Sequence, residues 1–123
     1  MEQTTNPSPP YPLSVTRSIH LAKDFMCSHL QDHLKLKALA KQSGTNECTL
    51  KKCFKVIFKI SVYQYLLKQR MENALWLIQE TDLKEAVIAR QCGFETLSGF
   101  ITTFIKYYGE RPGHLRKISN YLK

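Results

Sequence analysis

Leu39-Ala40-Lys41-Gln42-Ser43-Gly44 and Ile88-Ala89-Arg90-Gln91-Cys92-Gly93 are two copies of one short pattern. Each runs from an aliphatic residue through alanine and two polar residues to a small residue and a glycine. After each comes a ladder at i, i+4, i+8: Leu50, Phe54, Phe58 in the first copy and Phe100, Phe104, Tyr108 in the second. One inserted residue after the glycine brings the copies into register. The alanines (Ala40, Ala89) let two helices cross closely, and four residues later a glycine can take the positive φ of a tight turn. The unit is a short helix, a glycine turn and a longer helix, which is the pattern of a helix-turn-helix. One match would be weak, since helical hairpins with glycine turns are common. Two aligned copies in a basic chain are much stronger.

Outward from these copies the sequence reads as helix throughout. Leu36 to Ser43 forms a short helix closed by Gly44. Asn46 caps the next, with Leu50, Cys53, Phe54, Ile57 and Phe58 on one side. Upstream, Thr16 is the expected cap of a helix with apolar positions Ile19, Leu21, Ala22, Phe25, Met26 and Leu30. Ser61 caps a long helix to about Glu80, with Tyr63, Leu66, Leu67, Met71, Ala74, Leu75 and Ile78 as its stripe and Trp76 assigned to core packing. Thr81 or Asp82 caps a short unit closed by Gly93, a long helix follows from Thr96 to Tyr108, and Gly109 ends it. Pro112 starts a last helix. The expected fold is all-α, about seven helices in two helix-turn-helix subdomains joined by a long linker helix. Residues 1–15, with Pro7, Pro9, Pro10 and Pro12, read as a proline-rich tail or linker. The folded region is expected over 16–118: a first subdomain over 16–60, the linker helix over 61–80 and a second subdomain over 81–118.

The charge balance narrows the partner. The 123 residues hold 18 Lys and Arg against 10 Asp and Glu, a formal charge of +8, which favours a polyanion: nucleic acid or an anionic membrane surface. No apolar run approaches the ~18–20 residues of a membrane span. MEQTTNPSPPYP lacks a basic region followed by an apolar one, so it does not read as a secretory signal. Cys27, Cys48, Cys53 and Cys92 are scattered without a CxxC pair, which fits reduced thiols and a cytoplasmic location.

The two outward helix faces differ. At about 100° per residue, Cys48, Lys51, Lys52, Lys55 and Lys59 share one sector, opposite Leu50, Cys53, Phe54 and Ile57. The 35–59 stretch sets Lys35, Lys37, Lys41, Lys51, Lys52, Lys55 and Lys59 against Glu47 alone. A lysine stripe by itself is usually a solvated face; joined to the turn architecture it points to phosphate contact. The second face carries Ser98, Gly99, Thr102, Thr103 and Lys106. These reach phosphates or make short contacts to base edges, without an Arg or Gln for bidentate reading. The linker helix would be roughly 28 Å long at ~1.5 Å per residue. Such a rod suits successive major grooves, which lie ~34 Å apart on one side of a duplex. One chain could then read an asymmetric site without dimerising.

With these features the chain resembles the DNA-binding domain of the AraC/XylS family of bacterial transcription regulators over about residues 16–118. The most specific stretch is Ile88-Ala89, Cys92-Gly93-Phe94, Phe100, Phe104-Ile105-Lys106-Tyr107-Tyr108-Gly109 and Pro112. It is similar to the family signature of an I-A pair, a G-F pair, an F-x-x-x-F ladder, a K-x-x-G run and a proline. Tyr65-Leu66 and Arg70-Met71-Glu72-Asn73-Ala74 resemble the family's linker-helix motif, and Asn46-Glu47 with Leu50-Lys51-Lys52 and Phe54 is similar to a subgroup typified by siderophore-responsive regulators. The resemblance implies sequence-specific binding of double-stranded DNA in successive major grooves. It implies base contacts from Cys48, Thr49, Lys51 and Lys52, then Leu97, Ser98, Gly99 and Thr102; Lys55, Thr103 and Lys106 complete the expected DNA-binding set. Thr102 stands where some members place an arginine, and Leu97 and Gly99 are poor hydrogen-bonding residues, so the second half is expected to position more than read. Further partners expected are RNA polymerase and a sensing domain N-terminal to this chain, with nucleoid association when bound.

No catalytic constellation is present: GxxxxGK[ST], HExxH and GxSxG are all absent, and no cofactor is expected. His29 and His33 have i, i+4 spacing on an expected helix, but lack a third ligand, so no metal is expected. Cys48 among lysines reads as a small contact residue ahead of a thiol switch. Arg70 is left between an acidic partner and a phosphate. The alternative function is a basic helical adaptor for an anionic membrane surface or a protein partner.

Overall fold

The computed structural model describes residues 12–116, and all regular structure among them is helical. The elements are α1 (Leu13–Ser28), α2 (Leu36–Gln42), α3 (Glu47–Phe58), α4 (Val62–Glu80), α5 (Glu85–Gln91) and α6 (Leu97–Tyr108). A seventh helical stretch, α7, begins at Pro112 and covers 112–116. The all-α expectation is met. Residues 1–11 of the expected proline-rich segment and 117–118 of the expected domain lie outside the described residues.

Two compact units divide the chain. One combines the chain up to Met26 with Leu34–Val62; the other combines Cys27–His33 with the chain from Tyr63 onward. In the first, α1 buries Ile19, Ala22 and Met26, α2 buries Leu36, Leu39 and Ala40, and α3 buries Leu50, Cys53 and Phe54. Burying each large side chain is worth about 1.5–3 kcal/mol. The Phe58 ring closes the side of this core, 4.6 Å from Phe54 and 5.2 Å from His20 of α1.

Helix ends follow local chemistry. The Pro12 carbonyl accepts the Val15 and Thr16 amides, so α1 opens at Leu13, and Thr16, the expected cap, lies inside it. Asn46 caps α3 as expected, its Oδ1 accepting the Thr49 amide at 2.8 Å. Gly44 and Gly93 take the expected positive φ, 83° and 88°. α3 ends at Lys59 with φ 70°, where the matching position of the second copy is Gly109 at φ 80°. A left-handed conformation costs a side-chain-bearing residue about 1–2 kcal/mol. Lys59→Gly is therefore expected to stabilise the fold by about 1 kcal/mol, part of the gain being offset by the freer unfolded chain. Thermal unfolding would show it as a raised midpoint.

The second unit is built on Met71, Ala74, Leu77 and Ile78 of α4, Ile88 and Ala89 of α5, Cys92, and Phe100 and Phe104 of α6. Phe94, Phe100, Phe104 and Tyr108 form a continuous ring ladder, with successive centroids 5.4, 5.6 and 4.8 Å apart. Two arginines hold backbone carbonyls beyond or at the ends of helices. Arg70 donates from Nε to the Leu30 carbonyl at 3.1 Å and from Nη2 to that of Asp32 at 3.0 Å. Arg116 donates in the same manner to Ile78 and Thr81, at 3.1 and 3.2 Å.

Four expectations change here. Trp76 is 58% exposed rather than core-packed, because it stands two residues from both Ala74 and Ile78 and so points away from the buried stripe. Tyr63 is also exposed; Val62 and Leu66 hold the buried positions at the start of α4. Thr81 finishes α4 instead of starting α5: its hydroxyl donates to the Leu77 carbonyl at 2.6 Å, and α5 begins only at Glu85 after Lys84. Finally, α1 ends at Ser28, so His29 and His33 fall in the loop before α2 and form no helical pair.

Burial pushes the Cys92 thiol up to about 11, partly opposed by the Asn73 amide hydrogen bond and the Arg70 charge. Burial, with Tyr107 and Glu72 nearby, pushes the Tyr108 phenol up to about 12. Both folded values lie above the ordinary 9.0 and 10.0, so the neutral forms stabilise the fold. That contribution is complete below pH 9 and is lost as pH climbs through 11 and 12. Urea unfolding is expected to show stability falling across this alkaline window, with Tyr108→Phe flattening the upper part.

Candidate nucleic-acid interface

In each unit the helix after the glycine turn buries one side and leaves its leading end in solvent. In α3 the buried side is Leu50, Cys53 and Phe54, while Cys48, Lys51, Lys52 and Lys55 are exposed. Thr49 is half-buried, and its amide belongs to the Asn46 cap. Lys59 is exposed at the C-cap. Lysine heads on one helix face can follow a row of phosphates while the N-terminal turn approaches base edges.

Beside that turn lies a groove of about 520 Å³, lined by Lys37 and Lys41 of α2 and by Thr45, Asn46 and Glu47. It sets two more cations beside the leading end of α3. Neither belonged to the expected DNA-binding set. The signal that could have found them is their i, i+4 spacing on the exposed side of α2.

The second unit offers different chemistry. Thr96 caps α6, its Oγ1 accepting the Gly99 amide at 3.0 Å. Leu97, Ser98, Gly99 and Thr102 are exposed, followed by Lys106 near the far end; Thr103 is half-buried. Leu97 is 40% exposed. Lys106 is the first cation along α6.

Arg70 is committed to two backbone carbonyls, so its guanidinium is part of the second unit's framework. Burial lowers its pKa, and the nearby Cys92 opposes that change. All four cysteines are free thiols, Cys27 and Cys48 exposed and Cys53 and Cys92 buried. Among the described residues no helix is long and apolar enough to cross a membrane.

Residues 39–118 match the helix-turn-helix domain family. Over 95 residues, 77% of its length, the chain is 30% identical to the HTH-type transcriptional activator RhaR of Salmonella dublin, and it covers 34% of that protein. It thus spans about a third of that curated relative. The C-terminal domain of the two-component response regulator yesN from Fusobacterium nucleatum superposes with a TM-score of 0.74 at 36% identity, covering 79% of this chain and 95% of that one. The DNA-binding domain of AdpA, a global transcriptional factor solved with a target DNA, reaches 0.81 at 20% identity, covering 86% and 96%. At that identity the last likeness speaks for the fold alone. The finer resemblance to siderophore-responsive regulators is not supported by these relatives.

Proposed function

Because the chain belongs to the helix-turn-helix domain family, we propose that it is the DNA-reading part of a bacterial transcription regulator of the AraC type. The family and the fold are those of transcription regulators rather than enzymes. In the proposed mode, α3 and α6 enter successive major grooves of one duplex, each carried by its own compact unit, with α4 built into the second unit and following directly on the first. Lys51, Lys52 and Lys55 grip phosphates and base edges with Cys48 and Thr49 between them. Leu97, Ser98, Gly99, Thr102, Thr103 and Lys106 engage the second groove. RNA polymerase and an N-terminal sensing domain are the further partners of this reading, and the cytoplasmic nucleoid is its location.

The observation that carries the proposal is the exposed lysine face of α3 directly after a positive-φ glycine turn, with Lys37 and Lys41 beside its leading end. The adaptor alternative is not favoured. Membrane-surface helices set large apolar side chains beside their cations. Among the described residues of α3 a single large apolar side chain, Val56, is exposed, too little to form such a face.

The test is a titration of labelled duplex from a random pool, alongside anionic vesicles, at several salt concentrations. Duplex binding is expected to weaken steeply, with a log–log slope of about −0.9 for each phosphate contacted. Vesicle binding without duplex affinity at low salt would overturn the proposal.

A further inference from the structure

The two reading helices present unlike chemistry at their leading turns. On α3 the exposed positions run Glu47, Cys48, Lys51, Lys52; on α6 they run Leu97, Ser98, Gly99, Thr102. A recognition helix reaches base edges chiefly with its N-terminal residues. In α6 those residues include no amide, guanidinium or ammonium side chain, so the fork-shaped pairings that read guanine and adenine cannot form there. Ser98 and Thr102 each offer one short hydroxyl. Gly99 offers bare backbone on the exposed side.

Among these low-profile neighbours, Leu97 is the longest exposed side chain of the first two turns, and it occupies the first position of α6. It is an apolar group at the place that approaches the groove floor. The major groove displays one apolar group, the C5-methyl of thymine. The surrounding surface suits that contact, since small residues let the helix sit deep and no cation precedes Lys106 in α6.

We propose that Leu97 is a thymine-methyl reader, and that the second half of the binding site is selected by methyl contact while the first is held by lysine. This rests on the DNA-binding reading and names what its second half recognises. Burying one methyl against Leu97 corresponds to about a fourfold gain in affinity. The contact involves no ion release, so it keeps its size as salt rises.

The experiment uses the full chain and a duplex selected from random sequence, with the two halves assigned by footprinting. Each thymine in the half protected by the second unit is replaced singly by deoxyuridine, which lacks the methyl and keeps the base pair. At one or two positions affinity is expected to drop about fourfold, equally at low and moderate salt. In Leu97→Ala the same replacements should have no effect, and Leu97→Gln should move the preference towards adenine. Deoxyuridine that is neutral throughout that half, or a penalty unchanged in Leu97→Ala, overturns the inference while leaving DNA binding intact. A chain that binds no duplex at all refutes the underlying reading instead.

Discussion

Replacing Lys51, Lys52 and Lys55 together with alanine is expected to reduce duplex affinity by roughly two to three orders of magnitude at moderate salt, on the basis of about 1 kcal/mol or more for each lysine removed. All three side chains are exposed on α3, so the fold should be unaffected. The salt dependence separates their roles. Each lysine that displaces a phosphate counterion contributes about 0.9 to the slope of log K against log salt, and the triple variant should flatten it by nearly three. Single variants refine this further. A lysine that only touches phosphate weakens all sequences alike, whereas one that touches a base relaxes preference at one position by about 1–3 kcal/mol. An unchanged slope in the triple variant would show that the lysine face is only solvated. Electrophoretic or anisotropy titrations at several salt concentrations, with circular dichroism as a folding control, give the measurement.

The second large effect concerns the paired glycines. Gly44 and Gly93 occupy equivalent turns with nearly equal φ, yet their surroundings differ. A Cβ at Gly44 would meet only Ser18 Oγ, at 3.5 Å. A Cβ at Gly93 would press into the Leu30 carbonyl oxygen and stand 2.7 Å from Nε and Cζ of Arg70. Gly44→Ala is expected to cost about 1–2 kcal/mol, the penalty of left-handed backbone alone. Gly93→Ala carries that penalty and also displaces the Arg70 clamp, whose charge-assisted hydrogen bonds are worth about 1.5–3 kcal/mol each. A loss of about 3–5 kcal/mol follows, a large share of a small domain's stability. Chemical denaturation of the two variants side by side tests this. Equal losses would mean that the Leu30–Arg70 contact does not resist displacement.

The repeat was legible because its signals are local. Asn46 and Thr96 cap from within three residues, and the two glycines adopt the φ that only glycine takes cheaply. What stayed hidden depends on distant partners. Nothing near Arg70 in sequence indicates that carbonyls some forty positions earlier accept its donors. Thr81 carries a capping side chain, but whether it finishes one helix or begins another depends on where the chain turns. Trp76 shows that hydrophobicity is a poor guide where a helix face lacks a partner. At the interface, the charge on α3 and on Lys37 and Lys41 of α2 was plain from spacing alone, whereas the groove that sets those two lysines beside the leading end of α3 required the packing of α2 against α3. The leucine at the head of α6 stood in the expected contact set only through the resemblance; its exposure adds a reason of its own.

The Arg70 tether has a consequence for taking the molecule apart. Its acceptors, Leu30 and Asp32, come from the stretch between α1 and α2 that packs with the second unit. A gene severed at the junction before α4 would strand that stretch on the wrong fragment and leave an arginine with both acceptors gone. Chimeras that exchange one reading head between related proteins should therefore transplant Cys27–His33 together with the C-terminal portion.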